Sequence, residues 1–127
     1  KQGTNSNELL ISSSALGSIY GNQIKIVAVN GDVGVKGDVI SQYVVAINAD
    51  GTVKTNNINS GSVTVQAKKY EAEGNIYSSG SVRIKAENSI FLGDYVQSDS
   101  YIDIVGNLDN ESALMSNDLY VSNRLSN

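Results

Sequence analysis

The sequence predicts an all-β protein in which short parallel strands stack as a solenoid, a parallel β-helix of triangular section. Three observations predict this fold. Apolar residues alternate over short stretches that are separated by Gly, Asn, Asp and Ser, the residues that favour turns. The chain contains no Pro, so every backbone N–H can donate a hydrogen bond to a strand ladder. Strand-like segments also recur at a regular spacing, as they do in repeat architectures.

The repeated segment is five residues long and alternates in polarity. Its six copies occupy residues 24–28, 45–49, 63–67, 82–86, 102–106 and 119–123, with starts a mean of 19 residues apart. The first and third positions are Ile, Val or Leu in every copy, and the fifth is Ala in four of them. Because side chains alternate along a strand, these three positions face inward and stack in ladders about 4.8 Å apart. The small fifth residue predicts a corner.

Two further inward ladders complete the predicted coil. The second lies five or six residues ahead of each segment and consists of Ile19, Ile40, Ile58, Ile76, Val96 and Leu114. The third is less regular and includes Val53, Ile90 and Leu108. Three inward faces in each turn predict about six coils of roughly 19 residues. Asn30, Asn88 and Asn107 follow the segments and are expected to form a corner ladder, because Asn tolerates left-handed backbone.

Composition excludes several classes of function. The chain has no Cys and no His, which excludes disulfides, the usual zinc sites, thiol nucleophiles and His-based catalytic triads. Its net charge of −4 argues against nucleic acid or an anionic membrane as the main partner. No apolar run is long enough to span a bilayer or to form a signal-peptide core. We therefore expect a non-enzymatic protein without a cofactor or a metal.

The stretch from Ser14 to Lys36 resembles a segment of a known family. It begins Ser-Ala-Leu-Gly-Ser-Ile-Tyr-Gly-Asn-Gln-Ile and ends Val-Gly-Val-Lys. This is similar to Ser-Ala-Leu-Gly-Gly-Met-Tyr-Ala-Asn-Lys-Ile, followed by Gly-Val-Gly-Val-Arg, in two-partner-secreted exoproteins. These are the filamentous-haemagglutinin-like adhesins and the effectors of contact-dependent growth inhibition. The residues that differ from the family segment are Ser18, Ile19, Gly21, Asp32 and Lys36, and most of these changes conserve size.

The resemblance implies a fold, a location and a role. The family's haemagglutinin repeats form a right-handed parallel β-helix, and this segment of the family lies just beyond the secretion domain. The implied role is that of a secreted or cell-surface shaft segment, exported through an outer-membrane transporter, that presents distal binding or toxin regions in adhesion, virulence or growth inhibition. We expect residues 1–127 to be a single β-helix fragment of a longer chain, with a frayed polar end at residues 1–8. An exposed strand edge would allow the fragment to self-associate.

A second hypothesis is that the segment itself binds a glycan or a cell-surface receptor. Exposed tyrosines can stack on sugar rings or anchor a protein partner. The candidates are Tyr77, Tyr95, Tyr101 and Tyr120. The alternative interpretation is that these tyrosines are simply good strand formers.

A third and weaker hypothesis is a polysaccharide-acting enzyme or a hard-cation site. It would use the acidic residues Asp94, Asp99, Asp103 and Asp109. Asp103 occupies the coil next to that of Arg83 in the same outward column, so an ion pair between these two is the simpler expectation. The glycine-rich stretch 31–37 lacks the order of a phosphate-binding loop, and Val33 and Val35 alternate as they would in a strand.

Overall fold

A computed structural model of the chain describes residues 6–11, 14–28, 31–110, 113–116 and 118–122. Within these ranges the chain forms fifteen β-strands and no helix. The strands are β1 (Ser6–Ile11), β2 (Ser14–Leu16), β3 (Ile19–Ala28), β4 (Val33–Val35), β5 (Val39–Ala49), β6 (Thr52–Thr55), β7 (Ile58–Ser60), β8 (Val63–Ala72), β9 (Ile76–Ser78), β10 (Val82–Leu92), β11 (Tyr95–Ser98), β12 (Tyr101–Val105), β13 (Leu108–Asn110), β14 (Ala113–Met115) and β15 (Asp118–Ser122). Every pairing between them is parallel, so the all-β solenoid predicted from the sequence is confirmed.

Each coil of the solenoid has three sides. The first side is formed by β7, β9, β11 and β14 and by the beginnings of β3 and β5. The second side is formed by β1, β12 and β15, by the ends of β3 and β5, and by the beginnings of β8 and β10. The third side is formed by β2, β4, β6 and β13 and by the ends of β8 and β10. The four long strands therefore continue round a corner from one side to the next.

The number of coils is smaller than the sequence analysis predicts. The solenoid has about 4 turns instead of six. The prediction counted each strand of one ladder as a coil, whereas a coil is complete only when all three sides are present and their side chains pack inward. The described residues meet this condition in four stretches, 19–35, 39–55, 58–72 and 76–92.

The main inward ladder of the second side agrees with the sequence analysis. Its first position is fully buried in Ile24, Val45, Val63, Val82 and Ile102. Its third position is buried in Ile26, Ile47, Val65, Ile84 and Ile104. The fifth position is a corner, as predicted, and it is filled by buried alanines until Gly106. Gly106 has φ +142°, and a Cβ there would lie 2.5 Å from the carbonyl oxygen of Ala86, so only glycine fits this corner.

One predicted member of the second ladder is wrong. Ile40 is 42% exposed, and the inward position belongs to its neighbour Val39, which is fully buried. Val39 pairs with Ile19 on one side and with Ile58 on the other. Because side chains alternate along a strand, an error of one residue moves the assignment from the inside to the outside. The prediction failed because Val39 and Ile40 are both β-branched and apolar.

The third ladder contains a buried tyrosine that the sequence analysis did not place there. Tyr70 pairs with Val53 below it and with Ile90 above it, and its side chain is 0% exposed. Its hydroxyl shares a hydrogen bond of 2.7 Å with Oγ1 of Thr55, which is also buried. The bond satisfies two polar groups inside the apolar core. Burial raises the pKa of Tyr70 strongly, and the hydrogen bond to Thr55 lowers it by a smaller amount.

A column of buried serines fills the corner between the first and second sides. Ser41, Ser60, Ser78 and Ser98 are each 5% exposed or less. The hydroxyl of Ser41 donates to the carbonyl of Asn22 in the preceding coil at 2.7 Å, and Ser78 does the same to Gly61 at 3.0 Å. At another corner, the amide of Asn107 donates to the carbonyl of Asn88 at 2.9 Å, which confirms that part of the predicted Asn ladder. Asn30 lies outside the described residues.

The two ends of the family-like motif are adjacent rungs of one ladder. Residues Ser14–Leu16 pair in register with Val33–Val35 on the third side. Val33 and Val35 are buried, so the glycine-rich stretch around them contains a strand, as predicted. The polar end expected at residues 1–8 lies partly outside the description, and the described part, from residue 6 onward, begins β1.

Candidate functional site

The outer surface of the second side carries two columns of outward side chains. Through the four coils, one column consists of Lys25, Ala46, Thr64 and Arg83, which follow one another in register. The parallel column consists of Val27, Asn48, Gln66 and Lys85. Three of these eight residues are cationic and none is acidic, although the whole chain has a net charge of −4. We call this surface, defined by these eight residues, the cationic face.

Acidic residues bound the cationic face in register. Glu8 pairs with Lys25 at one end of the first column, and Asp103 pairs with Arg83 at the other end. Glu87 lies beyond the corner at Ala86. The outward columns of the second side therefore carry both signs of charge along the solenoid, with the acidic residues just beyond the eight positions of the face.

The cations of the face form no ion pair among the described residues. The ion pairs that the described part of the chain does form lie on the third side, where Glu71 contacts Lys54 at 3.7 Å and Lys69 at 3.2 Å. The predicted ion pair between Asp103 and Arg83 is wrong, although the two residues do occupy paired positions. An exposed ion pair contributes little energy that would draw the two side chains together.

A groove crosses the cationic face at the level of Arg83 and Lys85. It has a volume of about 200 Å³. Its outward-pointing lining residues are Thr64, Gln66, Arg83, Lys85, Asp103 and Val105. It therefore combines two cations, a hydroxyl, an amide and one carboxylate. These groups can bind an anion and can also form hydrogen bonds with neutral polar groups beside it.

The sequence analysis aligned these residues but did not identify the face. Lys25 and Arg83 both stand at the second position of the repeated segment, and Lys85 stands at the fourth. The signal available in the sequence was the absence of Asp and Glu from both positions in the first four copies. It becomes visible only when the columns are examined for charge as well as for polarity.

The four candidate tyrosines do not form one cluster. Tyr77 and Tyr95 lie on the outer surface of the first side, in adjacent strands and at diagonal positions, because Tyr77 pairs with Gln97. Tyr101 begins β12 on the second side. These three are half-buried. Tyr120 lies opposite Asp103 in the backbone register, and its side chain is outside the description.

One of these tyrosines has a specific polar partner. The hydroxyl of Tyr77 donates to Oδ2 of Asp99 at 3.1 Å. This hydrogen bond, together with the negative charge of Asp99, raises the pKa of Tyr77. The interaction links consecutive coils, so it has a structural use.

The larger exposed apolar side chains lie elsewhere. Tyr20 is 55% exposed and pairs with Ile40 on the first side. Tyr43 is 53% exposed and lies with Val44 at the following corner, where the register shifts by one residue. Neither residue was among the candidate tyrosines of the sequence analysis.

The acidic residues of the third hypothesis are also dispersed. Asp99 accepts the hydrogen bond from Tyr77, whereas Asp103 lines the groove of the cationic face. Asp94 is exposed at a corner between the third and first sides, and the side chain of Asp109 lies outside the description. Across the described ranges, no three acidic residues come together as a metal-binding group. The described residues also contain no helix long and apolar enough to cross a membrane.

The chain was compared with known protein families, curated proteins and solved structures. No protein-family model, no curated protein and no solved structure matches the chain.

Proposed function

We propose that the chain is a non-enzymatic shaft segment of a two-partner-secreted surface exoprotein, and that its solenoid is right-handed. The observation that carries the proposal is the uninterrupted stacking of the coils, in which the inward positions of the second side from Ile24 to Ile104 are filled by aliphatic side chains. A solenoid of this kind serves as a spacer whose length is set by the number of coils, because each coil packs only on its neighbours. Its role is to hold a distal binding or toxin region away from the cell.

The motif between Ser14 and Lys36 supports the choice of family. Its two most similar parts, Ser14–Leu16 and Val33–Val35, are paired rungs of a single ladder, so their separation in sequence corresponds to one coil. A motif that is fixed by coil geometry is expected at a shaft. The absence of Cys also suits export of an unfolded chain, since no disulfide must form or break on the way.

The first test examines the gene and the cell together. The parent reading frame is expected to encode a secretion domain ahead of this segment and to lie beside a gene for an outer-membrane transporter. Antibodies raised against the purified 127-residue chain are then applied to intact cells of the wild type and of a strain without that transporter. Surface labelling in the wild type that is lost in the deletion strain is the expected result. Equal labelling of both strains, or a cytoplasmic parent protein, would refute the proposal.

A second candidate function is direct binding by this segment. The observation that favours it is the cationic face, which is not needed for a purely mechanical shaft. A shaft role and a binding role are compatible, because the face lies on the outside of the coils whose inward residues stabilise the solenoid.

A further inference from the structure

The exposed apolar side chains of the described residues are concentrated on the first side of the solenoid. One outward column on this side follows in register from coil to coil, and we call it the outer column. It consists of Tyr20, Ile40, Asn59, Tyr77, Gln97 and Met115. The large apolar side chains that are exposed in the described ranges are three members of this column, Tyr43 and Val44 at its corner, and Phe91 on the third side. A concentration of exposed apolar groups on one face is typical of an interaction surface.

The charged groups beside the outer column are all acidic. The first side and its corners comprise residues 18–23, 38–44, 57–62, 75–81, 94–100 and 113–116. Within these described ranges the charged residues are Asp38, Asp94 and Asp99, and there is no Lys or Arg. The nearby cation Lys36 lines a groove of the third side beside Lys54. From the apolar column and its acidic border, we propose that the first side is a docking surface for an extended protein segment rich in Lys and Arg.

Two of the carboxylates are positioned by a chain of amides that crosses the coils. The side chain of Asn57 donates to Oδ1 of Asp38 at 3.2 Å, and the backbone N–H of Asn75 donates to Oδ1 of Asn57 at 2.9 Å. In the amide orientation that satisfies its neighbours, the side chain of Asn75 donates to Oδ2 of Asp94 at 2.6 Å. Because these donors are neutral, both carboxylates keep their charge, and their positions are fixed before a partner binds.

The dimensions and side chains of this side fit an extended cationic segment. Asp38 and Asp94 lie three coils apart, about 14 Å along the axis, and side chains four residues apart on an extended chain are separated by about 13 Å. The rings of Tyr20 and Tyr43 can attract the charged groups of Lys or Arg, and Ile40 can pack against their aliphatic stems. The outer column is about 24 Å long, so a segment of about seven residues spans it.

Other occupants match this surface less completely. Nucleic acid, an anionic membrane and an acidic polymer would be repelled by the carboxylates on its border. A second copy that presented the same side would also bring like charges together. A neutral saccharide could stack on the tyrosines but would leave the carboxylates without a counter-charge. A basic segment is complementary to both the apolar column and its acidic border.

The test measures binding of the purified chain to a fluorescent peptide of about seven residues in which Arg and Thr alternate. A peptide with Glu in place of Arg shows whether the sign of charge matters, and neutral dextran is the saccharide probe. Sedimentation velocity of the chain alone detects self-association. The first key variant, Tyr20→Thr, has Phe91→Thr on the third side as its control. The second, Asp38→Asn/Asp94→Asn, has as its control Glu87→Gln/Asp103→Asn, which removes the same charge from the second side and its following corner.

The expected result is saturable binding of the Arg peptide that weakens as salt is raised, without binding of the Glu peptide. Affinity should fall about fivefold in each key variant and change less than about twofold in each control. None of the substituted side chains is buried, so far-UV circular dichroism and the thermal midpoint should be unchanged in all four variants. If one key variant fails to fold, the other still tests the surface.

Four results would overturn the inference. Absence of binding to the Arg peptide by the folded wild type, or an equal loss of affinity in key and control variants, would reject the site. Tighter binding of the Glu peptide or of neutral dextran would reject the partner class. Self-association of the wild type that is lost in Tyr20→Thr would assign the surface to a second copy instead. None of these results affects the proposed shaft role, which is tested by surface labelling, so the two proposals can fail separately.

Discussion

The hydrogen bond between Thr55 and Tyr70 is suited to a double-mutant cycle, because Thr55→Val and Tyr70→Phe each remove one hydroxyl with little change in volume. The two side chains are 1% and 0% exposed, and no solvent can replace the lost partner. Thr55→Val leaves the Tyr70 hydroxyl unsatisfied in the core and should cost about 1–3 kcal/mol of unfolding free energy. Tyr70→Phe should cost about 1 kcal/mol, because the Thr55 hydroxyl can rotate toward a backbone carbonyl.

The double variant should be closer to the wild type than the sum of the single changes. Replacing both polar groups by apolar ones of similar shape is nearly neutral, so the coupling energy should be about 1 kcal/mol or more. Urea unfolding followed by far-UV circular dichroism measures this, and Thr64→Val on the outer surface is the control for loss of an exposed hydroxyl. Additive effects of the two core substitutions would refute the interaction and, with it, the inward assignment of Tyr70.

The other predictions concern the core, the pH dependence and the repeat unit. Ile84→Asp places a carboxylate in the main ladder and should unfold the solenoid. Gln66→Asp, at an exposed position, should change the free energy of unfolding by less than about 0.5 kcal/mol. Circular dichroism distinguishes the two outcomes. Burial raises the pKa of Tyr70 in the folded state. The contribution of its neutral hydroxyl to the free energy of unfolding is therefore complete below pH 10 and falls by about 1.4 kcal/mol per pH unit above it. The wild type should lose stability faster than Tyr70→Phe between pH 10 and 11. Deletion of residues 58–75 joins equivalent corners and should leave a shorter folded solenoid. Deletion of residues 58–66 removes half a coil and should unfold the protein. A folded product from this second deletion would contradict the coil assignment.

The sequence predicted the second side of the solenoid well because its chemistry repeats. Ile24 and Ile26, and their equivalents in later coils, lie on one face of a strand with a period of two, and each stacks on a residue of the same kind. Burial on this side selects for β-branched residues at every rung. The repetition of these residues in the sequence therefore predicts which positions of the second side are buried.

The first and third sides were harder to predict because their physical constraints are less uniform. Val39 and Ile40 are adjacent and similar in chemistry, and only the register with Ile19 and Ile58 determines which of them is buried. Tyr70 would be assigned to the surface by its hydroxyl, but Thr55 provides a partner inside the core. In both cases the decisive information lies in a neighbouring coil.

The serine corner shows the same dependence on neighbouring coils. Ser41, Ser78 and Ser98 read as turn residues in sequence, yet their hydroxyls point inward and donate to the carbonyls of the preceding coil. A buried serine is stable there only because a solenoid brings a carbonyl oxygen from the coil below to the same corner. Serine at that position therefore indicates the fold only when the spacing of the repeat is already known.

The cationic face follows from the part of the repeat that the core does not constrain. Inward positions must be apolar for the coils to stack, whereas Arg83 and Lys85 could be replaced by many polar residues without loss of stability. A shaft that only needed solubility would be expected to intersperse both signs of charge on this surface, as Lys54, Lys69 and Glu71 do on the third side. Along the full columns of the second side, Glu8 and Asp103 are in register with Lys25 and Arg83, so both signs of charge occur on this surface as well.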